Sequence, residues 1–164
     1  MSSEGAVSGL SSEGAVSGLS SEGTIYVDAT NQIAGRLSSK VAKLLISGRR
    51  VVVVNAEKSL ISGSRSSVVR QWQEWLEIAS HVNPIYGPNH PRRPDNILRR
   101  MVRGMVPRKK AKGVLAMKRL RVYVGLPEGV DVAKLTQFKD AAAPRPIPVY
   151  ITMKELSKTL GWNE

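Results

Sequence analysis

Apolar positions along the chain change period several times, and each change predicts an element. Ile25-Tyr26-Val27-Asp28 is a short β-branched and aromatic run that predicts a strand. Asn31 follows where a helix N-cap would stand. Ile33, Leu37, Val41, Leu44 and Leu45 then recur at helical spacing before Gly48, which predicts a helix over 34–47 closed by a glycine cap. Val51 to Val54 is unbroken rather than alternating, the pattern of a strand covered on both faces of a parallel sheet. Strand, helix and strand in so short a span make a βαβ unit.

The rest of the chain continues the mixture. Ser59-Leu60-Ile61-Ser62-Gly63 either extends the sheet or turns, and Val68, Trp72, Trp75, Leu76 and Ala79 mark a second helix. Residues 81–94 hold Pro84, Pro88, Pro91 and Pro94 with Gly87, Asn83 and Asn89, which predicts an ordered, irregular loop. Asp95-Asn96 can cap a third helix that carries Ile97, Leu98, Met101, Val102 and Met105 and ends before Pro107. A fourth helix over about 110–119 leads into a strand candidate at 120–125, Pro144 to Pro148 reads as extended, and Thr152 with Glu155 forms a capping box for a last helix near 152–160.

Charge sharpens this picture. The 164 residues carry 25 Lys and Arg against 13 Asp and Glu, a net +12. Residues 1–23 contain three glutamates and no basic residue, so the remainder carries +15. That leading segment repeats SSEGAVSGL at 2–10 and 11–19 and is mostly Ser and Gly; it predicts a flexible low-complexity tail (1–23) ahead of a single domain (24–164). Between Pro91 and Arg121 lie twelve basic residues: Arg92, Arg93, Arg99, Arg100, Arg103, Arg108, Lys109, Lys110, Lys112, Lys118, Arg119 and Arg121. Asp95 is the only acid among them. A solvated surface mixes both signs, and so concentrated a charge repels itself unless an anion neutralises it. On the third helix, placed at about 100° per residue, the apolar side chains share roughly 140° of arc and Arg99, Arg100 and Arg103 occupy the other side; beyond the capping Asp95 no acid is present within the helix to pair with them. Such a face is suited to phosphate, which arginine grips with a planar fork.

The classes this excludes are equally informative. Without cysteine there is no disulfide, thiolate nucleophile or cysteine-ligated metal. No apolar run approaches a membrane span and no signal-like segment opens the chain, so a soluble intracellular protein is expected. Glycine-rich nucleotide loops and the GxSxG elbow are missing. His81 and His90 lie apart from any acid cluster, so structural or RNA-contacting roles suit them better than metal ligation. Asp28 and Glu57 read as caps or ion-pair partners rather than an acid–base couple. With Phe138 the lone phenylalanine, and Trp72 and Trp75 on an apolar stripe that suggests the core, a single-strand stacking platform is not expected. Backbone-directed contact with folded RNA fits best.

Four blocks in register carry a family likeness: AGRLSSKVAKLL (34–45), VVVVNAEKSLISG (51–63), RRPDNILRRMVRGMVP (92–107) and KRLRVYVGLPE (118–128). Over residues 24–162 the sequence resembles the large-ribosomal-subunit protein L13 family in its archaeal form. The resemblance implies a three-layer α/β/α fold around a four-stranded, mainly parallel sheet. It further implies a non-enzymatic role in the cytoplasmic ribosome without cofactor, metal, membrane or small-molecule substrate, and partners among large-subunit rRNA and neighbouring ribosomal proteins. Carried over by position, Arg36 and Lys40 on the first helix, the VRGMVP element with Gly104, and Arg99, Arg100, Arg103, Arg108, Lys109 and Lys110 resemble rRNA-contacting residues. The duplicated N-terminal segment lies outside the family's common core, and a Pro-rich 144–148 stands where bacterial members have a histidine-containing region. An extra-ribosomal RNA-binding regulator and an RNA-processing enzyme are the alternatives.

Overall fold

The computed structural model describes residues 23–80, 82–130, 132–144 and 149–163. Residues 1–22 of the segment expected to be a tail, His81, and residues 145–148 of the segment expected to be extended lie outside the described residues.

Four strands form one sheet: β1 (Thr24–Asp28), β2 (Arg50–Val54), β4 (Leu120–Val122) and β5 (Leu135–Thr136). Their order is β4-β2-β1-β5 and every pairing is parallel, with Val27 opposite Val53, Val51 opposite Leu120 and Tyr26 opposite Leu135. The protein is therefore an α/β fold, as expected. Ile25, Val27, Val51, Val53 and Leu120 are almost wholly buried, which seals one face. Tyr26 and Val52 are only half-buried, so the unbroken valine run does not mark equal cover on both faces. The 59–63 run joins no part of this sheet: β3 (Leu60–Ser62) pairs antiparallel with β6 (Tyr150–Thr152) in a separate two-stranded ribbon.

Helix α1 (Ala34–Ile46) follows β1 and buries Ala34, Leu37, Ser38, Val41, Ala42 and Leu45, the i, i+3, i+4 spacing of one helical face. Its C-terminus closes as the sequence predicts. The Gly48 amide donates to the Leu45 carbonyl and the Arg49 amide to that of Leu44, with Gly48 at φ 97°, a conformation that favours glycine. At the other end Asn31 is not the N-cap. It sits at φ 58° and turns the chain two residues earlier, while Ile33 caps the helix without a side-chain bond; asparagine tolerates the left-handed region that the turn requires.

Helix α2 (Arg65–Glu77) fully buries only Val68, while Val69, Trp72 and Leu76 pack against the core from its edge. Ala79 lies beyond its end. Helices α3 (Pro94–Met105), α4 (Ala111–Lys118) and α5 (Met153–Thr159) complete the fold. The capping residue of α5 is Thr152, whose hydroxyl accepts the Glu155 amide at 3.2 Å.

Two carboxylates organise the carboxyl ends of the parallel strands. Asp28 Oδ1 accepts the Thr30 amide (3.1 Å), the Thr30 hydroxyl (2.7 Å) and Asn55 Nδ2 (2.9 Å), and its Oδ2 accepts Gln137 Nε2 (2.8 Å). One side chain thereby joins the exits of β1, β2 and β5. Glu57, buried, accepts the Gly125 amide at 2.9 Å and joins the exits of β2 and β4. Burial pushes the Asp28 pKa upward, but the bonds from Asn55, Thr30 and Gln137 outweigh it and hold the carboxyl below its ordinary value.

A group with a depressed native pKa contributes stability above its unfolded pKa and loses it as pH falls through the native one. Asp28→Ala should therefore cost about 1–3 kcal/mol in urea unfolding at neutral pH. The gap from the parent should close as pH drops below about 4; a gap that persists at pH 2 would show that the carboxylate's charge is not what matters.

Candidate nucleic-acid interface

Helix α3 is anchored by a seam and charged on its back. Ile97, Leu98 and Val102 are each 1% exposed, and Val106 beyond its end is also buried. Pro94 occupies the first turn, where a missing amide costs nothing, and Arg93 before it is extended. Asp95-Asn96 therefore lies inside the helix rather than capping it. Asp95 faces the positive end of the helix dipole and pairs with Arg93 at 3.3 Å. Met105, expected in the seam, is 44% exposed and lines an open groove with Ser39, Ala42, Lys43 and Ile46 of α1, because the buried contacts end at Val102 and resume only at Val106.

The opposite side of α3 carries Arg99 and Arg103, both exposed, and Arg100, half-buried. They line a cavity of about 460 Å³ with Asn89 and Pro91 of the proline-rich loop, Asn96, and Met117 of α4. Arg100 is held: its guanidinium lies 4.5 Å from the centroid of the Trp75 ring and donates to the Asn89 carbonyl. Burial first, then repulsion from Arg103 and Arg108, lowers its pKa, although a guanidinium stays protonated at any physiological pH. That mutual repulsion places Arg100, Arg103 and Arg108 in one field. Among the described residues, none of the ion pairs involves Arg99, Arg100, Arg103 or Arg108.

A tight turn continues the charge past α3. The Arg108 amide donates to Val106 O at 2.7 Å and the Lys110 amide to Pro107 O at 3.0 Å, which leads directly into α4. The turn crosses α4 at Gly113, where a Cβ would stand 2.2 Å from the Pro107 carbonyl oxygen; only glycine fits. Arg108, Lys109, Lys110 and Lys112 are all exposed around this crossing. Gly104 differs: it is exposed, and a Cβ there would meet nothing within 4 Å. The fold itself does not require a glycine at that position.

The other residues expected at the interface are more dispersed. Arg36 is exposed on α1, and Lys40 is engaged with Asp140 at 2.7 Å, a bond that holds the Asp140 carboxyl below its ordinary pKa. Exposed Arg92 reaches toward Gly161 at the end of α5. Lys118 is exposed and Arg119 half-buried at the end of α4, and exposed Arg121 lies on β4, an outer strand of the sheet. His90 has a structural position: Nε2 donates to the Ile78 carbonyl at 2.8 Å and the ring meets Trp75. Trp72 and Trp75, expected in the core, are both only half-buried. Asn89, Asn96 and Met117 were not legible as lining residues, because loop, α3 and α4 converge only in three dimensions.

What fold and face define is a parallel-sheet α/β protein with a concentrated, unneutralised arginine surface. The chain belongs to the ribosomal protein L13 family, whose description matches residues 22–128. It is 43% identical over 138 residues to the large ribosomal subunit protein uL13 of Methanococcus maripaludis, which covers 84% of this chain and 97% of the relative. The proteins of the same name from Sulfolobus acidocaldarius (44% over 138 residues; 84% and 93%) and Methanocaldococcus jannaschii (44% over 136; 82% and 96%) are similar over the same extent.

The two glycines give a paired test by thermal or urea unfolding of the free protein. Gly113→Ala should be strongly destabilising, since a backbone carbonyl must move. Gly104→Ala should be neutral or stabilising by up to about 1 kcal/mol, the helix preference of alanine over glycine. A loss at Gly104 equal to that at Gly113 would mean that the fold does need the former.

Proposed function

We propose that this chain is a structural component of the large ribosomal subunit that binds large-subunit rRNA through the α3–turn–α4 face and supports subunit assembly. Family membership and three uL13 relatives matched over more than nine-tenths of their length support the reading. The observation that carries it is the arginine face itself: Arg99, Arg103 and Arg108 project from a rigidly seated helix and turn with no acidic partner among the described residues. Its role is architectural, positioning cationic groups where RNA segments approach one another, and it works in the cytoplasm within the ribosome. No helix is long and apolar enough to cross a membrane among the described residues.

The mechanism is counterion release. Each phosphate neutralised frees condensed cations, so affinity falls with salt at a slope of about −0.7 to −0.9 per contact. Gly104 deepens the contact, because a glycine that nothing in the fold demands leaves helix backbone open to close approach. Lys109, Lys110, Lys112, Lys118 and Arg121 extend the field at longer range, with Arg92, Arg93 and Arg119 at its margins.

Because Arg100 is tied to Trp75 and Asn89, the clean variant replaces Arg99, Arg103 and Arg108 by Ala. Binding to a large-subunit rRNA transcript, titrated across KCl concentrations, should weaken and its log–log slope should flatten by about two to three units. An unchanged slope would refute this surface as the RNA contact.

A further inference from the structure

Trp72 and Trp75 of α2 line, with Gln71 and Arg100, an open cavity of about 400 Å³. It lies directly beside the arginine cavity: Arg100 is a wall of both. The indoles are fixed from several directions. Trp72 meets Trp75 edge-on at 5.2 Å and 82°, His90 meets Trp75 at 4.2 Å and 87°, and the Arg100 guanidinium covers the same ring at 4.5 Å. His90 is itself tied to Ile78 and Arg100 to Asn89, so the proline-rich loop braces the aromatic wall. A pocket with aromatic sides, one amide and a guanidinium rim is built before any ligand arrives, which reduces the ordering cost of binding.

We infer that this pocket receives an unpaired nucleobase of the RNA whose phosphates lie on the adjacent arginines. The inference rests on the proposed RNA-binding role. A nucleotide carries an aromatic ring and an anionic phosphate on one sugar, and the two neighbouring cavities offer surfaces for these in the same arrangement: Trp72 and Trp75 for the ring, Arg99 and Arg103 for the phosphate, Arg100 between them. Bases that leave a helix are characteristically held on aromatic rings and on guanidinium planes. An apolar protein side chain could enter the same space, but it would leave the charged rim without an anion. Every base has a π-face, so the pocket selects for an unpaired nucleotide rather than for one base identity.

Stacking and phosphate contact respond differently to salt, and that separates the two claims. With full-length protein and the same rRNA transcript, Trp72→Leu should lower affinity by about 5- to 150-fold at every KCl concentration, the range of one stacked base, with the slope unchanged. The Arg99, Arg103 and Arg108 variant should instead change the slope. If that variant behaves as expected while Trp72→Leu binds like the parent, the base pocket is wrong and the RNA face stands; if neither changes binding, the functional reading fails as well. Because Trp72 packs against the core and its replacement can perturb folding, a second measurement uses Trp162→Phe, which leaves Trp72 and Trp75 as the tryptophans. Saturating RNA should quench its indole emission, and emission unaltered at saturation would overturn the inference.

Discussion

Like charges set side by side repel, and the molecule is arranged around holding a set of arginines together in spite of it. The opposing force is the apolar seam of α3. Ile97, Leu98, Val102 and Val106 are buried, and each contributes about 1.5–3 kcal/mol relative to exposure. Repulsion between exposed charges one helical turn apart costs only a few tenths of a kcal/mol per pair. Burial therefore wins by a wide margin, and Arg99, Arg100 and Arg103 stay where the seam puts them. Their unfavourable field persists in the free protein, where Arg103 and Arg108 help depress the Arg100 pKa. An anion that neutralises them recovers that energy on binding.

The surrounding fold makes the face rigid in three ways. The parallel sheet and α1 supply the apolar bed beneath α3. Gly113 lets the Pro107 turn press onto α4, which keeps the basic residues after α3 from trailing away as a free loop. Arg100, bound to Trp75 and to the Asn89 carbonyl, fastens the proline-rich loop to the helix. Within one arginine cluster, position thus divides the work: Arg99, Arg103 and Arg108 face outward while Arg100 braces the site from its edge.

The same division explains why the charged surface was easier to read than its aromatic neighbour. Arg99, Arg100 and Arg103 could be assigned to one side of a helix because the 3.6-residue period requires it and the intervening apolar residues had to face inward. Trp72 and Trp75 obeyed the same period, yet α2 lies at the edge of the core, so its apolar stripe is only partly covered and forms the wall of an open pocket. Periodicity tells which residues share a side; it does not tell how completely another element covers that side. Val52 and Met105 were misplaced for this reason.

Local rules also settled turns only where backbone conformation left a single solution. Gly48 closes α1 as its place in the sequence predicts, since the closing residue must adopt a positive φ. Asn31 and Asp95 looked equally well placed to open helices, but Asn31 was taken up in a left-handed turn and Asp95 displaced by Pro94 at the first helical position. By itself the sequence determined the α/β class, most helices, the L13 family likeness and the concentration of charge between residues 91 and 121, because periodicity, composition and motif spacing are properties of the chain alone. Tertiary structure decided the pairing of Leu60–Ser62 with Tyr150–Thr152, the Asp28 and Glu57 ties across strand ends, and the meeting of Arg100 with Trp75. Each of those joins residues far apart in sequence, and their partners are fixed only once the core has brought the elements into contact.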